Sequence, residues 1–251
     1  MIGLKGGVKK MQQLKEIRDI SNLIMERWYT LNARAELLRP ALVDKKLVQR
    51  FNSSGQDAAN GFDHLRMALT EICLINAIGL LSSPDSSDAC IGSFITKLND
   101  NKDPVYKTLR EDFSKPAPYT FSKNSGLTSV AQAELKKRDE EEERTRKEKQ
   151  FDQTCKEITR CYDDLMQKGI GKKIKTIRNK VLAHFGTRHN GQKRVLQNTT
   201  DFNLIVKDIF KIVQQIGLLA RKCELVICNT GWPLSDDKKL HAQQSKAFWK
   251  F

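Results

Sequence analysis

Between Lys9 and Leu38 the residues Leu14, Ile17, Ser21, Ile24, Trp28, Leu31, Ala35 and Leu38 recur in steps that alternate three and four. A strand repeats every two residues and an α-helix about every 3.6, so this run is compatible only with a long helix that buries one side. The stripe is of coiled-coil type, but an ordinary bundle helix covered by its neighbours is the better reading. Pro40 is expected to close it. Whatever else the chain does, it must supply further helices to cover this one.

The remainder of the sequence supplies them. A short helix is predicted around Leu42 to Phe51. The turn residues Asn52-Ser53-Ser54-Gly55 then lead into a second long helix through Phe62, Leu65, Leu69, Ile72, Ile75 and Leu80, ended by Ser82-Ser83-Pro84-Asp85. Asp88 reads as the cap of a helix carrying Ile91, Phe94, Ile95 and Leu98. Three prolines between Asp103 and Val130 allow one short helix near Tyr106 to Phe113 and then a surface loop. From Glu134 to Gln150 seven basic and seven acidic side chains alternate at helical pairing distances, which predicts a solvated helical strut of zero net charge.

Phe151 to Lys168 continues that helix, and Gly169 and Gly171 break it. A further helix follows with Ile174, Ile177, Val181, Leu182 and Phe185 on one face, ended by Gly186. Thr187 to Asn198 reads as turn-rich, and about Thr200 to Cys228 as the last long helix. After Gly231-Trp232-Pro233 the chain is polar until its final aromatic residues, which leaves docking on the bundle and a loose tail both open. The expectation is an all-α multi-helix bundle with strand content near zero. It occupies residues 1–229 as one domain, with 104–150 a variable loop and charged helical insertion and 230–251 a C-terminal tail.

The longest apolar stretch, Ile72 to Leu81, contains Asn76 and Gly79 and is half the length a bilayer demands, so no membrane span is expected. The N-terminal MIGLKGGVKK has no apolar core of the kind a secretion signal needs, and the cytoplasm is the expected location. The six cysteines, Cys73, Cys90, Cys155, Cys161, Cys223 and Cys228, form no CxxC pair. They read as reduced, buried small hydrophobes rather than disulfides or zinc ligands, so no metal or cofactor is expected.

The formal charge is +14. It points to polyanionic partners and salt-sensitive binding, with RNA, DNA and acidic proteins all compatible. Since the strut is neutral, the excess resides elsewhere. From Leu165 to Val195 there are nine Lys or Arg (Lys168, Lys172, Lys173, Lys175, Arg178, Lys180, Arg188, Lys193, Arg194) and no Asp or Glu. His184 and His189 lie in the same stretch. A cationic surface holding a group that titrates near neutrality can both bind a phosphodiester and move protons on it.

Within that stretch, Arg178-Asn179-Lys180-Val181-Leu182-Ala183-His184 resembles the signature of the HEPN superfamily, an Arg with a polar residue after it and a His four to six residues further on. The IRNKVLAH wording, set between long helices, looks most like the abortive-infection AbiU-like branch. The resemblance covers the chain from the first long helix to about Cys228, with 104–150 the least family-like part. It implies a HEPN-type helical bundle, a homodimer that brings two motifs together, and metal-independent cleavage of RNA. On that reading His184 is the general base or acid and Arg178 stabilises charge in the transition state. Asn179 orients the phosphate or the histidine, and Lys172, Lys173, Lys175, Lys180 and Arg188 hold RNA. A toxin or phage-defence role is implied as well, and whether a neutralising antitoxin accompanies it is left open. Some members carry a Tyr two residues after the His, and here that position is Gly186, which argues against regulation by modification at that site.

Helix geometry gives an independent reason for a pair of chains. Six residues rotate by about 600° and advance by about 9 Å, so Arg178 and His184 of one helix stand roughly 120° apart and make a poor pincer. Two copies facing each other surround a phosphate better. The rival readings are a non-catalytic helical module that binds RNA, nucleotide or an acidic partner, and a purely structural oligomerisation domain. His184 also has a plain structural alternative, as a cap on the end of its helix near Gly186. His64 and His241 lie far from the basic stretch and receive no role.

Overall fold

The computed structural model describes residues 2–81, 88–100, 102–116, 128–168, 170–177, 187–190, 193–196, 206–229 and 234–250. These form an all-α bundle. Its elements are α1 (Ile2–Val43), α2 (Lys45–Ser53), α3 (Gln56–Leu81), α4 (Ile91–Asp100), a π-helical turn (Lys102–Tyr106), α5 (Lys107–Ser114), α6 (Ser129–Gln167), α7 (Ile170–Ile177), α8 (Val206–Cys228) and α9 (Leu234–Phe248). One antiparallel hairpin, β1 (Thr187–Asn190) with β2 (Lys193–Leu196), stands in the passage expected to be turns. Its two four-residue strands leave the fold all-α, with strand content as small as expected. Two residues separate the paired Asn190 and Lys193, and the first is Gly191, the residue type a two-residue hairpin connection favours.

Helix α1 is the axis of the bundle. All eight residues of its predicted stripe are buried, from Leu14 at 4% exposure to Leu38 at 0%. Each large apolar side chain among them contributes about 1.5–3 kcal/mol of burial free energy. Helices α3 and α8 cover this face. Pro40 does not end the helix as expected. It sits in the last turn, where its missing N–H removes one bond, and the turn still closes through Asp44 N–H donating to the Pro40 carbonyl at 2.9 Å. Ala41 beyond it is fully buried, and that packing holds the turn. Asp44 then caps α2, its carboxylate accepting from the N–H groups of Lys46 and Leu47.

A thiol holds the cap position of α4. The residue before Ile91 is Cys90, whose Sγ accepts from the Ser93 N–H at 3.3 Å, where Asp88 had been expected to cap. The six cysteines are free, and Cys73, Cys90, Cys155 and Cys223 are buried. Burial pushes the thiols of Cys73 and Cys155 up to about 12, so both stay protonated.

The charged strut is the first half of α6. Lys136–Glu140, Arg138–Glu142, Arg144–Glu148 and Lys147–Glu143 pair one turn apart along it. Such exposed pairs contribute little, on the order of 0–1 kcal/mol each. Its far end is not purely solvated: Arg110 of α5 reaches Glu148 at 3.0 Å and Asp152 at 3.1 Å, and Tyr106 donates to Asp152 at 2.9 Å.

At the C-terminus the structure shows docking. Helix α9 packs on α1, and Trp249 beyond it is buried against Phe62 and Phe51, donating its indole N–H to the Leu37 carbonyl at 2.9 Å. Ser245 and His241 of α9 are buried too. His241 Nδ1 meets the Asn32 amide at 2.9 Å while its ring stands edge-on to Tyr29.

Burial lowers the His241 pKa below its ordinary 6.5, outweighing the opposite pull of Asp237 and Glu36. A base whose folded pKa is depressed costs stability once the unfolded chain takes up a proton the folded chain refuses. Stability is therefore expected to be full above about pH 6.5 and to fall as pH drops through the interval below it. Urea unfolding at pH 7.5 and 5.5 checks this: the parent should lose stability between the two, and His241→Gln should lose distinctly less.

Candidate functional site

The acid-free basic stretch begins where α6 ends. Lys168 caps α6, its N–H donating to the Asp164 carbonyl at 3.1 Å, and its ammonium stands 3.6 Å from the Asp164 carboxylate. After Gly169 the chain starts α7. This helix packs back on α6 and also against α3 and α8, with Ile170 touching the core. The close approach requires Gly171. A Cβ there would lie 2.8 Å from the Leu165 carbonyl oxygen, a backbone atom that cannot swing away.

This anchoring decides which way the lysines face. Lys172 and Lys173 are exposed, and neither has an ion-pair partner among the described residues. Thr176 ties its hydroxyl to the Lys172 carbonyl at 3.0 Å. Lys175 lies in the last turn of α7, one turn from Lys172. Arg188 lies on β1, in register with Val195, and His189 beside it is in register with Arg194. Thus α7 and the hairpin carry six of the nine basic residues of the stretch: Lys172, Lys173, Lys175, Arg188, Lys193 and Arg194. Helix α7 ends at Ile177, immediately before Arg178. Arg178, Asn179, Lys180 and His184 lie outside the described residues.

A groove of about 380 Å³ runs beside the start of α7, between Cys161, Asp164 and Leu165 of α6 and Gln215, Leu218 and Lys222 of α8. Sequence reasoning did not find it, because its walls come from helices far apart in the chain. Its one cation among the described residues, Lys222, is engaged by Glu157, and the hydrogen bond from that ammonium, followed by one from Gln153, holds the Glu157 carboxyl below its ordinary range. What the groove offers is apolar surface and the Asp164 carboxylate, which suits a polyanion poorly. On the neighbouring α7, Lys172 and Lys173 are exposed and without an ion-pair partner among the described residues. Among the described residues no three His, Cys, Asp or Glu side chains converge as a metal site.

The buried Asn32–His241 contact is the other polar feature that sequence reasoning missed. Its signal was an Asn and a His, each amid residues of ordinary helical spacing, with nothing to connect them across 209 positions.

Compared with known proteins, the sequence matches the family HEPN_AbiU2, described as AbiU2, over residues 12–248. The match takes in the long helices, the basic stretch and α9. No curated protein and no solved structure matches the chain.

Replacing Gly171 by Ala is expected to push α7 off α6 and to cost about 1–3 kcal/mol, as overpacking against fixed atoms does. Hydrogen exchange should report faster exchange of the amides of residues 170–177. Gly7→Ala, where nothing lies within 4 Å of the added methyl, should leave those amides unchanged.

Proposed function

Because the chain belongs to the HEPN_AbiU2 family of abortive-infection HEPN domains, we propose that it is a metal-independent endoribonuclease, a toxin or phage-defence effector that cleaves RNA with the ribose 2′-OH as nucleophile. The observation that carries this reading is that the family match spans an acid-free run of nine cations which also holds the Arg178, Asn179 and His184 motif. The exposed Lys172 and Lys173, which pair with no carboxylate among the described residues, support it, since a polyanion can meet them directly.

In the proposed reaction the 2′-oxygen bonds to the adjacent phosphorus as its proton passes to a base. The bond from phosphorus to the 5′-oxygen breaks, and that oxygen takes a proton as it leaves. His184 serves as base or acid in this exchange. Arg178 neutralises the charge that accumulates on the phosphoryl oxygens, and Asn179 orients the phosphate or the imidazole. Lys172, Lys173, Lys175, Lys180 and Arg188 hold the RNA backbone. The working unit is a homodimer, because on the helix that the sequence predicts through residues 178–184 Arg178 and His184 would stand too far apart to enclose a phosphate. An antitoxin that masks the basic face is the expected regulator.

The test is incubation of the purified protein with RNA in excess EDTA. Cleavage should persist under chelation, whereas His184→Ala and Arg178→Ala should each reduce it by a factor of hundreds or more without loss of helicity by circular dichroism. His189→Ala should retain most activity. Equal cutting by all three variants would sink the mechanism. Intact but shifted RNA with every protein would favour a binding module instead.

Binding is expected to be electrostatic. Neutralising Lys172, Lys173 and Lys175 together should weaken RNA binding and flatten the dependence of log affinity on log salt by about two to three units of slope. Titrations at several salt concentrations measure this, and an unchanged slope would move the binding site elsewhere.

A further inference from the structure

Helix α3 has a second apolar face that stays exposed among the described residues. Its buried side, including Phe62, Leu69, Cys73, Ala77 and Leu80, packs into the core. On the other side Leu65 is 39% exposed, Ile72 39% and Ile75 50%, with Gly61 and Ala68 exposed between them. Together with the half-buried Ala58, these residues follow steps of three and four: 58, 61, 65, 68, 72, 75. At about 100° per residue they fall in one stripe, the seam of a helix pair whose second member is missing. By length and mean hydropathy α3 would also be long and apolar enough to cross a membrane.

The order of residues along the stripe identifies the occupant. Large residues alternate with small ones so that the stripe complements its own reverse. When two copies of α3 run antiparallel with their two-fold axis between Arg66 and Met67, Ala58 faces Ile75, Gly61 faces Ile72 and Leu65 faces Ala68 of the second copy. Every layer then joins a small residue to a large one, as closely packed facing helices require. Charge selects the same arrangement. His64 and Glu71 are both exposed and lie on the same flank of the stripe, one heptad apart. In an antiparallel pair like flanks meet, so His64 of each copy lies beside Glu71 of the other, and an imidazole can donate to a carboxylate. A parallel pair would instead set that flank against the opposite one, where Phe62, Leu69 and Asn76 stand and no charge does.

We propose that this face of α3 is where a second copy of the chain docks, antiparallel, in the register that sets Leu65 against Ala68. For its functional meaning the proposal rests on the paired site described above. Helix α7, which leads into Arg178, packs on α3, so pairing through α3 would fix the two motif segments relative to each other. The contact itself stands on the pattern of α3 alone.

Light scattering at micromolar concentration tests it. The parent should be a dimer, and Ala68→Arg, at an exposed position, should be a monomer with unchanged helicity. His64→Glu, which sets two carboxylates together, should weaken the dimer at least tenfold, and adding Glu71→Lys should restore it. A dimer indifferent to Ala68→Arg overturns the proposal, as does a monomeric parent, including one that floats with phosphatidylcholine vesicles and so uses the face for a membrane. Assaying RNA cleavage in parallel separates the two readings. A dimer that Ala68→Arg dissolves but that leaves RNA intact upholds this surface and removes the nuclease. A nuclease whose dimer ignores Ala68→Arg removes this surface and keeps the nuclease.

Discussion

The bundle depends on one close crossing, in which the Trp28 indole of α1 lies flat against α8 at a residue without a side chain. A Cβ on Gly217 would stand 2.6 Å from Trp28 Nε1 and 2.7 Å from Cε2. The indole N–H meanwhile donates to the Val213 carbonyl one turn earlier, at 3.2 Å, so the ring cannot retreat without leaving a buried donor unpaired. Trp28 is 3% exposed and Ile216 beside the crossing is fully buried. Glycine within a helix costs about 1 kcal/mol relative to alanine. Here the loss is offset by a large aromatic surface brought into contact with the α8 backbone. This crossing sets the spacing of α1 and α8, and α3, α6 and α9 pack around that pair.

Because α1 is enclosed on more than one side, polar groups have been drawn into the interior and must be neutralised there. Glu36 is 5% exposed, and its two oxygens accept from Arg39 Nε and NH2 at 2.8 Å each, while the same guanidinium lies 4.0 Å from the centre of the Phe210 ring. The fork of hydrogen bonds and the aromatic face together allow a carboxylate to sit where α1 meets α8. Asn32 and His241 perform the same service for each other between α1 and α9. These contacts tie residue types usually found on surfaces to single geometries, and they fix where α8 and α9 lie along α1.

The legible parts of this fold are those where one face of one helix meets the core. The stripe from Leu14 to Leu38 was readable because its period was uninterrupted. The α6 strut was readable because its charges sit one turn apart. Helix α9 was not, since Leu234–Phe248 is mostly polar and docks through His241, Ser245 and the neighbouring Trp249, residues that give no apolar period. Pro40 misled because a local rule about helix ends lost to the burial of Ala41 beyond it. The hairpin gave no alternation to read, as Thr187-Arg188-His189-Asn190 is polar throughout. For the candidate site, charge counting located the stretch, and only the resemblance singled out Arg178, Asn179 and His184 within it, because a short Arg-to-His spacing has no periodicity of its own.

Scaffold and basic stretch differ in how their cations are matched by carboxylates. Within the bundle cations are spent on carboxylates: Arg39 on Glu36, Arg110 on Glu148 and Asp152, Lys222 on Glu157. From Leu165 to Val195 there is no carboxylate to spend them on. Gathering nine like charges costs self-repulsion, and a protein interior would amplify that cost by lowering the dielectric. Where the stretch leaves α6 it is held by Gly171 against Leu165 and by Ile170 against the core, and Lys168 pairs with Asp164 one turn before it. Repulsion of that kind is what a polyanion relieves wherever it binds a cationic run and sheds its counterions. The scaffold thus matches Arg39, Arg110 and Lys222 with carboxylates of its own, whereas the sequence from Leu165 to Val195 contains none.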